Sequence, residues 1–421
     1  MFKKTTLSNG LRIITVPQKE ARAATVLILI KTGSKYEEKA NNGISHFLEH
    51  MFFKGTKKRP SSKAVAEFLD KIGGIYNAFT SQDFTGYFAK VEASQFNLAL
   101  DWVSDIFLNS TLPKSEIKKE KGVIIEEVNM FYDTPMSYIQ TLWSKVLYGD
   151  QPAGWDIAGN KENIKKMNYQ KLLDYKNKQY VAENTIVCVA GKIEESLVIK
   201  KIKKYFSKIK TTKGLEKPKV FEKQTKPAFL SHYKKTDQTH LCLGVRGYNL
   251  FHPQRFSLEI LGTILGGMMS SRLFVEIRER LGIAYYIKTN IEADPDTGSL
   301  VTQVGVDNKN VEKAILTILK EYKKISQKKV PVSEFKKAKD NMKGKLALLL
   351  ESSDAQASFY AGQEVLEEKI LTPKEIFAKI DKVKASELLK TAKDIFKPEK
   401  LNLALIGPHK DKKRFQRLLK L

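Results

Sequence analysis

Apolar positions along this chain follow two rhythms, and the switches between them mark out the elements. Strand-like alternation comes first. It flanks the turn signal Ser8-Asn9-Gly10 and returns as a longer apolar run over 24–32. A helical period starts behind Gly43 in ISHFLEHMFF, and a second helix begins near Ser62 and stops at Gly73-Gly74. Two strands follow, IYNAFTS and FTGYFAKVE. Helical spacing covers 95–108 and 114–131, is broken by Pro135, and resumes over 136–148 and 169–180. The strand NTIVCVAG and a helix over 194–206 complete the set.

Residues 207–228 break both rhythms. They are Lys-rich, contain Gly214, Pro218 and Pro227, and carry few apolar residues, which is the composition of a linker. The earlier order then recurs: strands at 230–233 and 240–247, helices at 253–265 and 270–280, strands at 283–291 and 298–306, and long helices. The strand LNLALIG closes this half as NTIVCVAG closed the first. The pattern predicts an α+β protein made by tandem duplication of a unit of roughly 200 residues. The expected domains are 1–206 and 229–421, with 207–228 between them. The basic tail from Lys410 reads as a helix docked on its own domain.

Composition narrows the functional classes. A length of 421 residues exceeds one average domain, and 42% hydrophobic with 29% charged residues supports two cores without disorder. Lys and Arg number 73 against 47 Asp and Glu, a formal charge of +26. The lysines are spread over both halves and the linker rather than clustered with aromatic platforms, so no nucleic-acid partner is expected. The two cysteines, Cys188 and Cys242, lie in apolar strand-like runs, which excludes a disulfide framework and a cysteine-ligated zinc ribbon. The longest apolar stretch, near 23–30, falls far short of the ~20 residues a spanning helix needs. The opening MFKKTTLSNGLRIITV has no apolar core of a secretory signal and no transit-peptide character, so the expectation is a soluble protein of a bacterial-type cytoplasm.

The strongest chemical signal is His46-Phe47-Leu48-Glu49-His50. On a helix, positions i and i+4 share one face, so two imidazoles there can grip one Zn²⁺. Glu49 sits beside that face, free to act as a base toward water at the metal. The order H-x-x-E-H inverts the commoner H-E-x-x-H. His232, His240, His252 and His409 form no second cluster, and the comparable helix of the second half reads LEILGTILGG, so one zinc per chain is expected. A catalytic zinc takes a third protein ligand and keeps one open position. The segment KEKGVIIEEVNM offers Glu120, Glu126 and Glu127. Glu120 and Glu127 are seven apart and share a helix face, while Glu126 is rotated by about 100° from Glu127. One face can therefore supply a ligand and a second carboxylate behind it. Val123, Ile124 and Ile125 point to a buried helix, where carboxylates need a cation or donors. Gly266-Gly267 with Ser270-Ser271-Arg272 lacks the pattern of a phosphate-binding loop.

Four segments, GISHFLEHMFFKGT, IGGIYNAFTSQDFTGYFAKV, EKGVIIEEVNMFYDTP and LGGMMSSRLFVEIRERLGIAYYI, together resemble the M16 peptidase family, the inverzincins. Within it the chain is similar to the bacterial two-domain branch related to the mitochondrial processing peptidase β subunit. The resemblance covers essentially the whole chain. It implies two tandem homologous α/β-sandwich domains (M16/LuxS-metallohydrolase-like), each a mostly antiparallel sheet packed with helices. The first would bind zinc, and the second would complete the pocket without a metal of its own. The resemblance makes His46 and His50 ligands, Glu49 the general base, Glu127 the third ligand and Glu120 its helper. It makes Asn77-Ala78-Phe79-Thr80 a substrate-facing edge strand, whose unpaired N–H and C=O groups can take an extended peptide. Tyr285 would donate to the developing oxyanion and Arg278 would position the substrate backbone. The expected activity is that of a zinc metalloendopeptidase acting on unfolded peptides or small proteins, and the branch suggests a homodimer. The alternative is an inactive structural or chaperone-like paralogue. Such paralogues lose motif residues, and none is missing here.

Overall fold

The computed structural model describes residues 2–421, Lys412 by its backbone alone. Eleven strands among the described residues form two sheets: β1 (Lys3–Thr6), β2 (Arg12–Pro17), β3 (Ala23–Ile30), β4 (Ile75–Thr80), β5 (Thr85–Glu92) and β6 (Thr185–Gly191) in one, β7 (Ala228–Tyr233), β8 (Gln238–Arg246), β9 (Ala284–Ala293), β10 (Gly298–Asp307) and β11 (Leu401–Gly407) in the other. The orders are β1-β2-β6-β3-β5-β4 and β7-β11-β8-β10-β9. With β1 set aside, the two orders are the same, counted from the first strand of each repeat. In both, the first and last strands pair in parallel (β2 with β6, β7 with β11) and the other pairs are antiparallel. The register matches too: Leu27 lies between Cys188 and Phe88, and Cys242 lies between Ala404 and Gln303. The fold is α+β, a duplicated layered unit.

The central strands are apolar on both faces; every residue of β6 and of β11 is buried. A strand that alternates two apolar sets needs cover on both sides. Packing meets this need in a way chain order does not indicate. One compact unit comprises Met1–Asn129, Trp155–Pro218 and Leu348–Ile370; the other comprises Met130–Gly154, Lys219–Ala347 and Leu371–Leu421. In the first unit, Ile13, Val26, Ile28, Tyr87 and Val189 meet Phe47, Met51, Phe52, Trp102 and Phe107 of the unit's own helices. On the opposite face, Ile14, Val16, Leu27 and Ile186 meet Ala357, Tyr360, Ala361 and Val365 of the helix Ser353–Glu367, which comes from the second half of the chain. In the second unit, Leu241, Leu243 and Val245 pack against local helices, while Cys242, Val301, Ala404 and Ile406 meet Ile139, Leu142, Trp143 and Leu147 of the helix Pro135–Tyr148. Each sheet thus takes one cover from the other half of the chain. Residues 1–206 and 229–421 stay our proposed extents of the repeat in chain order.

Segment 207–228 forms no helix, and a strand begins only at Ala228. It is nevertheless tied down. In the first unit, the Leu215 N–H donates to Gln179 Oε1 at 3.1 Å and Lys217 pairs with Asp83. In the second unit, Gln224 Nε2 donates to the Leu401 carbonyl at 2.9 Å. The C-terminal turn carries Phe415 and Leu419 into the second core. A short helix, Lys161–Lys166, capped by Asn160 on the Asn163 N–H, has no period long enough to read from sequence. No helix among the described residues is long and apolar enough to cross a membrane.

The exchange predicts that a fragment ending at residue 206 cannot stand alone, because Ile14, Val16, Leu27 and Leu29 would lose their cover. Expressed by itself it should aggregate, and co-expression with residues 207–421 should restore a soluble complex on size-exclusion chromatography. A monomeric 1–206 fragment that unfolds cooperatively would show the exchanged helix to be dispensable.

Candidate metal centre

The helix Ile44–Phe52 carries the motif, and its first turn is fixed by two features. Gly43 has φ 98°, and a Cβ there would come within 2.5 Å of the Ala158 carbonyl oxygen, so only glycine lets the 158–159 loop close over the helix start. The buried carboxylate of Glu37 accepts from the N–H groups of Gly43 (2.7 Å) and Ser45 (2.8 Å) and from Asn42 Nδ2 (2.9 Å). It caps the positive end of the helix. Burial pushes the Glu37 carboxyl up, and these hydrogen bonds pull against it. Phe47, Leu48 and Met51 are fully buried, which leaves His46, Glu49 and His50 on the remaining face.

Opposite lies the helix Lys114–Asp133, anchored by buried Ile117 and Ile124. Its phase turns Glu120 and Glu127 toward the histidines and leaves Glu126 exposed. Glu127 Oε2 is 3.6 Å from His46 Nε2 and 3.3 Å from His50 Nε2. Ligands of a tetrahedral zinc with bonds near 2.0–2.1 Å are about 3.3–3.4 Å apart, so the three donors already have close to the required spacing. Two imidazole nitrogens and one carboxylate oxygen are also a donor set that suits zinc. Among the described residues this is the one group of three metal-capable side chains whose ligand atoms all lie within 4.8 Å.

Glu120 acts behind His50. Its Oε2 accepts from His50 Nδ1 at 3.0 Å and its Oε1 pairs with Lys54 Nζ at 2.6 Å. The bond places the ring proton on Nδ1 and leaves Nε2 as the donor atom for a metal. His46 has no such support: its Nδ1 is buried without a hydrogen-bond partner. Burial alone would lower the His50 pKa, but Glu120 and Glu127 outweigh it and hold the ring up to about 9. Hydrogen bonds from His46 and His50 pull Glu127 far down. Burial opposes the same shift at Glu120, where His50 and Lys54 prevail.

Glu49 stands apart from this network. Burial pushes its carboxyl up, offset by a hydrogen bond from Thr80 Oγ1 at 2.5 Å. A carboxylate held beside the ligands with a raised pKa suits a group that takes and returns a proton. Thr80 ends β4, the outer strand of its sheet. Asn77, Ala78 and Phe79 lie on the same strand. The Ala78 N–H donates to Asn77 Oδ1 at 2.9 Å. Asn77 is therefore a strand residue, not part of the Gly73-Gly74 turn.

Arg278 and Tyr285 belong to the second unit. Residues Phe274–Arg280 form a π-helical turn, with the Leu281 N–H reaching the Glu276 carbonyl at 3.0 Å. The Arg278 guanidinium lies 5.4 Å from the Tyr285 ring centroid and 4.9 Å from that of Phe274. Tyr285 is 81% exposed, whereas neighbouring Tyr286 is tied to His240 Nδ1 at 2.8 Å. Cys188 and Cys242 are both free and buried, and burial pushes their thiols up. Sequence reasoning missed Glu37 and Lys54. Lys54 lies four residues after His50, which was a usable signal; Glu37 offered none.

A duplicated two-sheet fold with an inverted H-x-x-E-H helix and a distal glutamate defines the class of M16-type metallopeptidases. The family model described as Insulinase (Peptidase family M16) matches residues 12–161, and the one described as Peptidase M16 inactive domain matches 166–342. A Bacillus subtilis protein named uncharacterized zinc protease YmxG is 37% identical over 412 residues, covering 97% of this chain and 98% of that one. An uncharacterized zinc protease of Rickettsia bellii is 31% identical, with coverage of 97% and 98%. The chain belongs to peptidase family M16. The crystal structure of a protease from Helicobacter pylori superposes with a TM-score of 0.88 at 24% identity, covering 97% of this chain and 99% of that one, which speaks for the fold.

The His50 proton gives a pH prediction. The raised pKa stabilises the metal-free protein fully below pH 6.5, and this contribution is lost as pH rises through about 9. A metal must displace the same proton, so its affinity strengthens over that window. The difference in Tm between zinc-loaded and chelator-treated protein should therefore widen from pH 6.5 to 9. A constant difference would remove His50 from the linkage.

Proposed function

We propose that the protein is a zinc-dependent metalloendopeptidase that hydrolyses unfolded peptides or small proteins. The observation that carries this reading is the placement of Glu49: beside the His46–His50–Glu127 group but hydrogen-bonded to Thr80, a proton carrier next to a ligand set. His46, His50 and Glu127 would hold one zinc ion per chain. When bound, the ion supplies Lewis acidity that makes water a better acid and a carbonyl a better electrophile. Glu49 takes a proton from the attacking water as its oxygen bonds to the carbonyl carbon, then delivers that proton to the amine nitrogen as the C–N bond breaks. Glu120 keeps the His50 ring in the tautomer the ligand role needs. The free edge of β4 favours an extended backbone, which folded proteins do not offer, and Asn77 to Phe79 would pair with it. Tyr285 and Arg278 keep the substrate-directed roles the family resemblance gives them, at the carbonyl oxygen and the peptide backbone. A cytoplasmic location, the absence of a nucleic-acid partner and a homodimeric state are proposed on the same resemblance and on the composition. The inactive-paralogue reading finds no support in a site where all four motif side chains are present and converge.

Glu49→Gln should retain zinc by mass spectrometry yet lose peptide turnover by about three orders of magnitude or more. His50→Ala should lose metal and activity together. Hydrolysis surviving in the Glu49 variant would refute its role as base, and a full zinc complement in the His50 variant would exclude it from the ligand set.

A further inference from the structure

A strand has two faces, and β4 uses both. Ala78 belongs to the core on the motif-helix side, as does Tyr76, whereas Phe79 packs on the opposite face with Leu27, Leu29 and Phe88. A peptide paired along the free edge of β4 would continue this alternation, and every second side chain would project on the Phe79 side. A cavity of about 450 Å³ opens there, lined by Thr25, Leu27, Phe79, Phe88, Leu349 and Phe359. Resting on the peptidase reading, we propose that this cavity is a side-chain subsite that selects substrates carrying a bulky apolar residue, aromatic or long aliphatic, on the sheet face away from the metal centre.

Three features make it a built site rather than a gap. The Phe79 ring lies directly over Gly86, where a Cβ would collide with both Phe79 and Leu29, so glycine is required for the aromatic floor. The wall is fixed by the first turn of the exchanged helix. Thr25 Oγ1 and Ser353 Oγ lie 2.8 Å apart in a buried hydrogen bond, and Lys90 Nζ meets Asp354 Oδ1 at 2.6 Å. Leu349 at the lining is 59% exposed, an apolar side chain held open to solvent. The second repeat provides an internal comparison. By register its counterparts of Thr25, Leu27 and Phe88 are His240, Cys242 and Gln303. There, Tyr286 lies against Gly305 and bonds His240, while Gln303 bonds Gln140 and the Met136 carbonyl. At these counterpart positions the repeat that lacks the metal motif carries hydrogen-bonded polar side chains, whereas the repeat that has it lines a cavity with Leu27, Phe79 and Phe88.

The test compares two peptides that differ only in phenylalanine or glycine at one position, chosen from the cleavage map of a randomised pool. Wild type should favour phenylalanine by about tenfold or more in kcat/KM, at a position whose parity matches the Phe79 face. Ser358→Trp, which fills the cavity from the exposed side of the helix, and Phe359→Ala, which removes one wall, should each collapse that ratio. Zinc content and Tm would report intact folding. Wild-type cleavage without the preference, or a preference untouched by Ser358→Trp, would overturn the subsite and leave the peptidase reading standing. Should no peptide be cleaved, fluorescence anisotropy of the same two labelled peptides on zinc-loaded Glu49→Gln protein decides the matter. Tighter phenylalanine-peptide binding that Ser358→Trp abolishes supports the subsite, and equal binding overturns it.

Discussion

A carboxylate withdrawn from water has to find donors or positive charge, and three of them, the buried Glu37 and Glu120 and the half-buried Glu127, organise the site in the first unit. Glu37 finds the N–H groups at the start of the motif helix and so sets where that helix begins. Glu120 finds His50 Nδ1 and Lys54 and so sets how the imidazole is turned. Glu127 finds the two Nε2 atoms and marks where they converge. Position, orientation and focus of the site are each controlled by one glutamate, and each is satisfied by groups the neighbouring helix already needed to place.

This division of labour leaves Glu49 without a hydrogen bond to His46, His50 or Glu127. A helix repeats its face after three or four residues, so Glu49 stays close to both histidines while its carboxylate turns toward β4 and Thr80. The carboxylate proposed as the base is thereby tied by a hydrogen bond to the strand proposed to take a peptide backbone. The outer strand of the sheet packs with the motif helix on one face, carries Phe79 on the other, and has the edge proposed to take substrate backbone.

What was legible in the sequence was local. The histidine spacing, the shared phase of Glu120 and Glu127, and the alternation of β2 to β6 and β7 to β11 all follow from short-range periodicity. The choice between Glu126 and Glu127 was left open by the residues themselves, because it depends on which face of the helix is buried. Ile117 and Ile124 decide it through packing. The exchange of Pro135–Tyr148 and Ser353–Glu367 was not legible, since an apolar stripe announces that a helix will be covered but not by which sheet. The π-helical turn holding Arg278 was hidden for a related reason: i→i+5 bonding shifts the helix phase without changing its composition. Glu37 stayed hidden because a carboxylate that caps a helix six residues downstream looks like any surface acid.

Exposed connections are where a backbone is most open to cleavage. Here the backbone passes from one compact unit to the other after residues 129, 154, 218, 347 and 370. A nick within the lysine-rich strap would release neither piece. The N-terminal piece keeps Trp143 embedded in the second unit, and the C-terminal piece keeps Tyr360 embedded in the first. The trade of helices works as a mutual clasp, so a cut at this exposed connection would cost covalent continuity without costing assembly.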